Sequence, residues 1–128
     1  MSKSRYARQI AVPGVGPSGQ AAFAGAEVSV AGQGLAAEVC ALYLAGAGVG
    51  TLTVAPAFAE PCRRLSSEVR VIPSVSTDAA EKLEVLVAGR GGERARFSPE
   101  PSGDPVRDGA IAARWALARA LSQRTGDP

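Results

Sequence analysis

Apolar positions along this chain recur with two different periods, and the switches between them mark its elements. Val28–Ala31 is a short β-branched and apolar run that reads as the first strong strand. Leu35–Ala47 is apolar nearly all round and reads as a helix buried against a sheet, with Gly48 placed to end it. Thr51–Ala55 is a second strand. Glu68–Val75 holds a third, and Pro73 within it points to an edge or a strand end. Glu84–Gly89 is continuously apolar after Glu84, the pattern of a parallel strand covered on both faces. The stretch "GRGGERARF" then turns and reads as running on into a strand or hairpin.

The remaining segments are connectors and helices. Ser4–Ile10 is a short N-terminal helix or arm, and Pro13–Gly19 is rich in turn residues. Ser18 is placed to cap a short helix through Ala24. Asp78–Leu83 is at most a helical turn or two. Asp104 as cap and Pro105 at the first helical position start a last helix that runs to about Gln123. Ile111, Trp115, Ala118 and Leu121 share one side of it, though Arg114 interrupts that arc. Strands alternating with helices predict an α/β fold, a small, open, mainly parallel sheet flanked by helices. The 128 residues suit one domain, with residues 1–20 as an N-terminal arm and connector and 98–105 as a linker to the last helix.

Composition narrows the chemistry. Apolar residues make up 46% of the chain, mostly Ala and Val, so the core is packed from small side chains. A net charge of +2 and few aromatics argue against a nucleic-acid surface. No apolar run has the length of a membrane span or the layout of a leader, so the expectation is a cytoplasmic protein. Arg far outnumbers Lys, and with abundant Ala, Gly and Pro this fits a high-GC bacterial genome. There is no His, which removes the commonest general base and metal ligand. Cys40 and Cys62 are the only thiols, and their spacing is that of neither a zinc site nor a disulfide framework. Cys40 lies mid-helix and reads as a small buried hydrophobe. Cys62 reads as a loop residue beside Arg63 and Arg64, whose charges would lower its pKa and leave it open to redox or nucleophilic chemistry.

The stretch Gly32-Gln33-Gly34-Leu35-Ala36-Ala37 fits the dinucleotide pattern G-x-G-x-x-G/A between a strand and a helix. Gly32 permits the tight turn, Gly34 lets a phosphate approach the backbone, and Ala37 is small enough for close helix–strand packing. The helix start behind them offers free N–H groups. The pattern also needs an acid about 20 residues on, at the tip of the next strand, to hold a ribose. That tip reads Ala55-Pro56-Ala57-Phe58, and Glu60 is the nearest carboxylate. As a nucleotide site the turn is degenerate.

Four segments carry a resemblance: "RYARQI" (Arg5–Ile10), the GxxGQ of Gly16–Gln20, "VSVAGQG" and "LYLAGAGVGTLTV" (Leu42–Val54). Together they resemble the start of the E1-like activating enzymes, the ThiF/MoeB/HesA family. The last helix is more loosely similar. The resemblance implies a Rossmann-like fold and ATP-dependent adenylation of the C-terminal glycine of a ubiquitin-like or sulfur-carrier protein. It also implies a ribose-binding Asp, an Asn and an Arg on the phosphates, a Lys, and a second Asp that holds magnesium. The chain departs from that set. Both acids are missing at Ala55–Phe58, and only Leu65 matches in Arg64–Glu68, where the Asn and Arg segment would fall. The Lys-bearing helix reads as deleted between Glu60 and Val69. Gly89-Arg90-Gly91-Gly92 stands where the magnesium Asp would follow the fourth strand. One family feature remains, the arm: Arg8 aligns with an Arg that reaches a partner's phosphates, with Arg5 and Gln9 beside it. Such an arginine would stabilise phosphate charge in trans, or the arm would only brace a dimer.

The expectation is therefore an E1-like domain without catalytic residues or metal site. It would work as a homodimer, or paired with a full-length E1-like protein or a biosynthetic enzyme, in carrier activation. Two alternatives stand beside it. One is a residual adenylyltransferase binding ATP or AMP weakly through Gly32, Gly34 and Ala37. The other is a repurposed small-molecule pocket lined by Pro56 and Phe58 at the carboxyl ends of the strands.

Overall fold

The computed structural model describes residues 17–32, 34–74, 82–88 and 94–125. In chain order the elements are α1 (Pro17–Ala24), β1 (Glu27–Ala31), α2 (Leu35–Ala47), β2 (Thr51–Val54), α3 (Pro56–Leu65), β3 (Arg70–Pro73), β4 (Glu84–Ala88), β5 (Arg94–Phe97) and α4 (Pro105–Thr125). The five strands form one sheet in the order β3-β2-β1-β4-β5. β1, β2 and β3 are parallel, each joined to the next through a helix. β4 lies antiparallel to β1, and β5 antiparallel to β4. β4 is thus the one strand that runs against the rest, and the sheet is mixed around a mainly parallel α/β core. The α/β fold expected from the sequence is the one observed.

The helices stack on one face of this sheet. Val28, Val30, Leu52, Val54, Val85 and Val87 point into a single core that also contains Cys40, Ala41 and Leu44 of α2 and Ala112, Ala113 and Ala116 of α4. Residues between them on the strands, such as Ser29, Thr53 and Leu86, face the other way and are half-buried. β4 alternates buried and half-buried positions along its length. The expectation of a parallel β4 covered on both faces is therefore corrected in both respects. An apolar run alone does not encode strand direction, and Leu86 and Ala88 add to the run without entering the core.

α2 has the expected bounds, and its C-terminus is closed by Gly48 in the left-handed conformation (φ 88°). α1 starts at Pro17, inside the stretch read as a connector. Gln20 fixes it in place, its Nε2 donating to the buried Ala47 carbonyl at 3.3 Å. α3 occupies the region read as a deleted helix and a variable loop, with Pro56 at its start and Pro61 within it. Its buried residues Phe58, Ala59 and Cys62 all point to the core.

α4 is also corrected. Its buried side is Gly109, Ala112, Ala113, Ala116 and Ala120, while Ile111 and Ala118 are exposed. Close approach decides this. A Cβ at Gly109 would collide with the Ala36 carbonyl and lie 2.8 Å from the Val39 Cβ. Only a small-residue face lets α4 come this near α2, so bulk in the sequence misled about contact. Trp115, half-buried, instead stacks on Phe97 of β5 with ring centroids 5.2 Å apart. Among the described residues no helix is long and apolar enough to cross a membrane.

Candidate functional site

The glycine turn forms as its pattern predicts. Gly32 takes φ 125°, a conformation that side chains resist. A Cβ there would lie 3.3 Å from the Ala37 Cβ and 3.4 Å from both the Leu83 Cα and the Lys82 carbonyl. Ala37 is fully buried against this turn, so Gly32 and Ala37 together set how closely α2 meets β1. Gly34 is the N-cap of α2, with extended backbone and no side-chain cap. It is exposed, with nothing within 4 Å of where a Cβ would stand. The first amides of α2 thus lie behind an open, uncapped turn, which is the geometry that receives an anion. Gln33 lies outside the described residues.

The described surroundings of the turn are set by β2, α3 and β4. β2 ends at Val54 and runs through Ala55 directly into α3, where the Phe58 amide donates to the Ala55 carbonyl at 2.9 Å. Phe58 is buried in the core rather than lining a cleft at the strand ends. Glu60 faces solvent on α3, 3.8 Å from Arg63 and 3.7 Å from Arg64, exposed pairs that contribute little. The decisive feature is the direction of β4. Glu84, its first residue, pairs with Ala31 beside the glycine turn, whereas Ala88, its last, pairs with Glu27 at the opposite end of the sheet. The turn after β4, where the resemblance places a magnesium-holding acid, therefore leaves from the far end. Among the described residues, no carboxylate stands at the end of β2, and the end of β4 lies away from Gly32 and Gly34.

What does lie beside the turn is the start of β4 and the start of α4. Lys82 presents its carbonyl to Gly32 and exposes its side chain. Ser98 Oγ donates to the Leu83 carbonyl at 2.6 Å. Asp104 caps α4 as expected, accepting from the Arg107 N–H at 3.3 Å. Ser102 donates to Asp108 through its hydroxyl at 2.6 Å and its N–H at 3.1 Å. These hydrogen bonds hold the Asp108 carboxyl below its usual range. Sequence reasoning missed Lys82 because it ran β4 the other way.

Cys62 is corrected. It is fully buried in α3, and burial pushes its thiol up to about 11, opposite to the lowering expected from Arg63 and Arg64. Both arginines are exposed and turn away from the core. Arg63 instead donates to the Val71 carbonyl at 3.4 Å. Cys40 is buried as expected, its thiol pushed up to about 12. Arg5, Arg8 and Gln9 of the arm lie outside the described residues.

Comparison with known proteins adds a local match. Over 48 residues the chain is 54% identical to the adenylyltransferase and sulfurtransferase uba4 of Neosartorya fischeri. It is 52% identical over the same length to the proteins of that name from Aspergillus niger and Aspergillus clavatus. These matches cover 38% of this chain and 10% of each relative, so the chain spans a small part of the proteins it resembles. No family model matches the chain. The local identity supports a relationship to the E1-like ThiF/MoeB family.

Proposed function

We propose that this chain is an E1-like domain that has kept the scaffold of carrier-protein activation and works as a non-catalytic partner. It would pair with a second copy, with a full-length E1-like protein or with a biosynthetic enzyme, in a ubiquitin-like or sulfur-carrier pathway. The observation that carries this reading is the separation of the glycine turn from the end of β4. An adenylating site needs phosphate-facing amides, a ribose acceptor and a metal-holding acid within one ligand's reach. Here the amides stand at one end of the sheet, β2 passes into a helix without an acid, and β4 ends at the other side. Arg5, Arg8 and Gln9 give the arm its proposed task, contacting phosphates in a partner's site.

ATP–pyrophosphate exchange with purified chain and a carrier ending in Gly-Gly tests this. No exchange above background is expected, and turnover by the chain alone overturns the reading. A pull-down from the native host, with Arg8→Ala as control, tests the partner role. Retention of an E1-like protein by the parent chain and its loss in the variant are expected.

A second reading is residual binding of ATP or AMP, favoured by the exposed and uncapped Gly34. Calorimetry with magnesium-ATP at millimolar ligand decides it, since absence of heat removes it. The repurposed pocket loses its basis with Phe58 in the core.

A further inference from the structure

The sheet face opposite the helices has a layout of its own. Strand pairing aligns two rows across it. One row runs Arg70, Thr51, Glu27, Ala88, Arg94, and the next runs Ile72, Thr53, Ser29, Leu86, Arg96. The centre is built from short side chains, and the long cationic ones stand on the edge strands, where all three arginines are exposed. Between them lies a shallow cavity of about 260 Å³ lined by Ser29, Thr51, Thr53, Ile72 and Leu86, with Glu27 and Arg94 at one end. A sheet face that only meets water is usually covered by long polar chains at its centre. Here the central strands carry mostly short side chains with two carboxylates, Glu27 and Glu84, and the cations collect at the rim, as in the core and rim of an interface.

The dimensions fit a helix. Ile72 and Leu86 stand on strands three spacings apart, about 14 Å at the usual inter-strand distance. A helix with its side chains is about 10–12 Å across. β1 has 5 residues, and the length they span corresponds to about three turns of helix. Open α/β sheets ordinarily carry helices on both faces, and the four described helices all lie on the other one.

Charge selects the occupant. Arg70, Arg94 and Arg96 on the edges call for acidic flanks, while Glu27 and Glu84 on the central strands call for a ridge without acids. Among the described residues, this chain's own helices do not meet that need. α3 exposes Arg63 and Arg64 with Glu60 paired to both, α4 exposes Arg107 and Arg114, and the exposed side chains of α2 include the uncharged Leu35 and Tyr43. A second copy would bring the same helices. We propose that this face docks an amphipathic helix of a different polypeptide, with small or apolar residues on its ridge and Asp or Glu on its flanks.

The test is an amide chemical-shift titration of the full chain. The probe is a designed helical peptide with an Ala/Leu ridge and Glu flanks, beside a twin with Lys flanks. Saturable shifts at Ser29, Thr51 and Thr53 are expected with the Glu peptide. Arg70→Glu with Arg94→Glu should weaken binding by about tenfold or more. Thr53→Trp, which fills the slot at a solvent-facing position, should abolish it while leaving the remaining spectrum folded. Equal binding of the Lys twin, shifts centred on Leu35 and Tyr43, or no shifts at millimolar peptide overturn the proposal. So do concentration-dependent shifts on this face without peptide, which would assign it to a second copy.

Discussion

The two ends of the sheet are built differently. At one end β1 runs into the glycine turn, β4 begins, and the caps of α2 and α4 meet across Ala36, Val39 and Gly109. Backbone positions there are tightly constrained: Gly32 has a positive φ, Ser98 holds the Leu83 carbonyl, and Ser102 and Asp104 organise the start of α4. At the other end Glu27 and Ala88 pair between exposed Arg70 and Arg94, and the close packing there lies at the entry to β2, where a Cβ at Gly50 would collide with the Ala24 carbonyl and the Gly50 and Thr51 amides donate to the Phe23 and Ala26 carbonyls. An adenylating enzyme would gather its acids, glycines and metal at the first end. In this chain that end is occupied by packing and capping, with one open patch at Gly34. The turn has a packing role of its own there, because Gly32 and Ala37 set how closely α2 meets β1.

If that contrast is right, changing the packing and capping groups at the glycine-turn end should cost more than removing the exposed charge of Glu27 at the other. The largest effect is expected for Gly109→Val, which drives a branched side chain into the Ala36 carbonyl and Val39. A loss of about 3 kcal/mol is expected, read as a lower urea midpoint. Gly32→Ala follows, at about 2 kcal/mol, because φ 125° is strained for alanine and its methyl meets Ala37 at 3.3 Å. Asp104→Ala removes the α4 cap and should cost about 1 kcal/mol.

Asp108 supplies a pH test at the same end. Its folded pKa is lowered, chiefly by the Ser102 hydroxyl. Its stabilisation is therefore present above the ordinary carboxylate range and fades as the pH falls through the lowered folded value. In Asp108→Asn that part of the acid limb should flatten in a stability–pH profile. Glu27→Gln, at the far end, should stay within about 0.5 kcal/mol of the parent. A Glu27 variant as costly as the Asp104 one would erase the contrast between the ends.

What could be read in advance depended on whether a local feature decided the outcome. The bounds of α2 were legible because a glycine turn precedes it and a glycine cap ends it, and β3 was legible as an edge strand through Pro73. The α4 start followed from Asp104 and Pro105. Three features were not legible. α3 was missed because its stretch read as a deleted helix and a loop around Cys62, although Pro56 suits a helix start and Pro61 is tolerated inside. The buried face of α4 was misread because helix proximity favoured alanine and glycine over Ile111. The direction of β4 depends on tertiary pairing that no run of Val and Leu specifies. Of the candidate site, Gly32 packs against Ala37 and Gly34 stands exposed at the start of α2, Cys62 moved from loop to core, and the arm with Arg5, Arg8 and Gln9 lies outside the described residues.

The direction of β4 carries the functional account, and interstrand backbone NOEs measure it directly. Contacts joining the neighbourhoods of Ala31 with Glu84, and of Glu27 with Ala88, are the predicted result. Contacts joining Ala31 with Ala88 would contradict it, because a parallel β4 would return the turn that follows it to the side of the glycine turn.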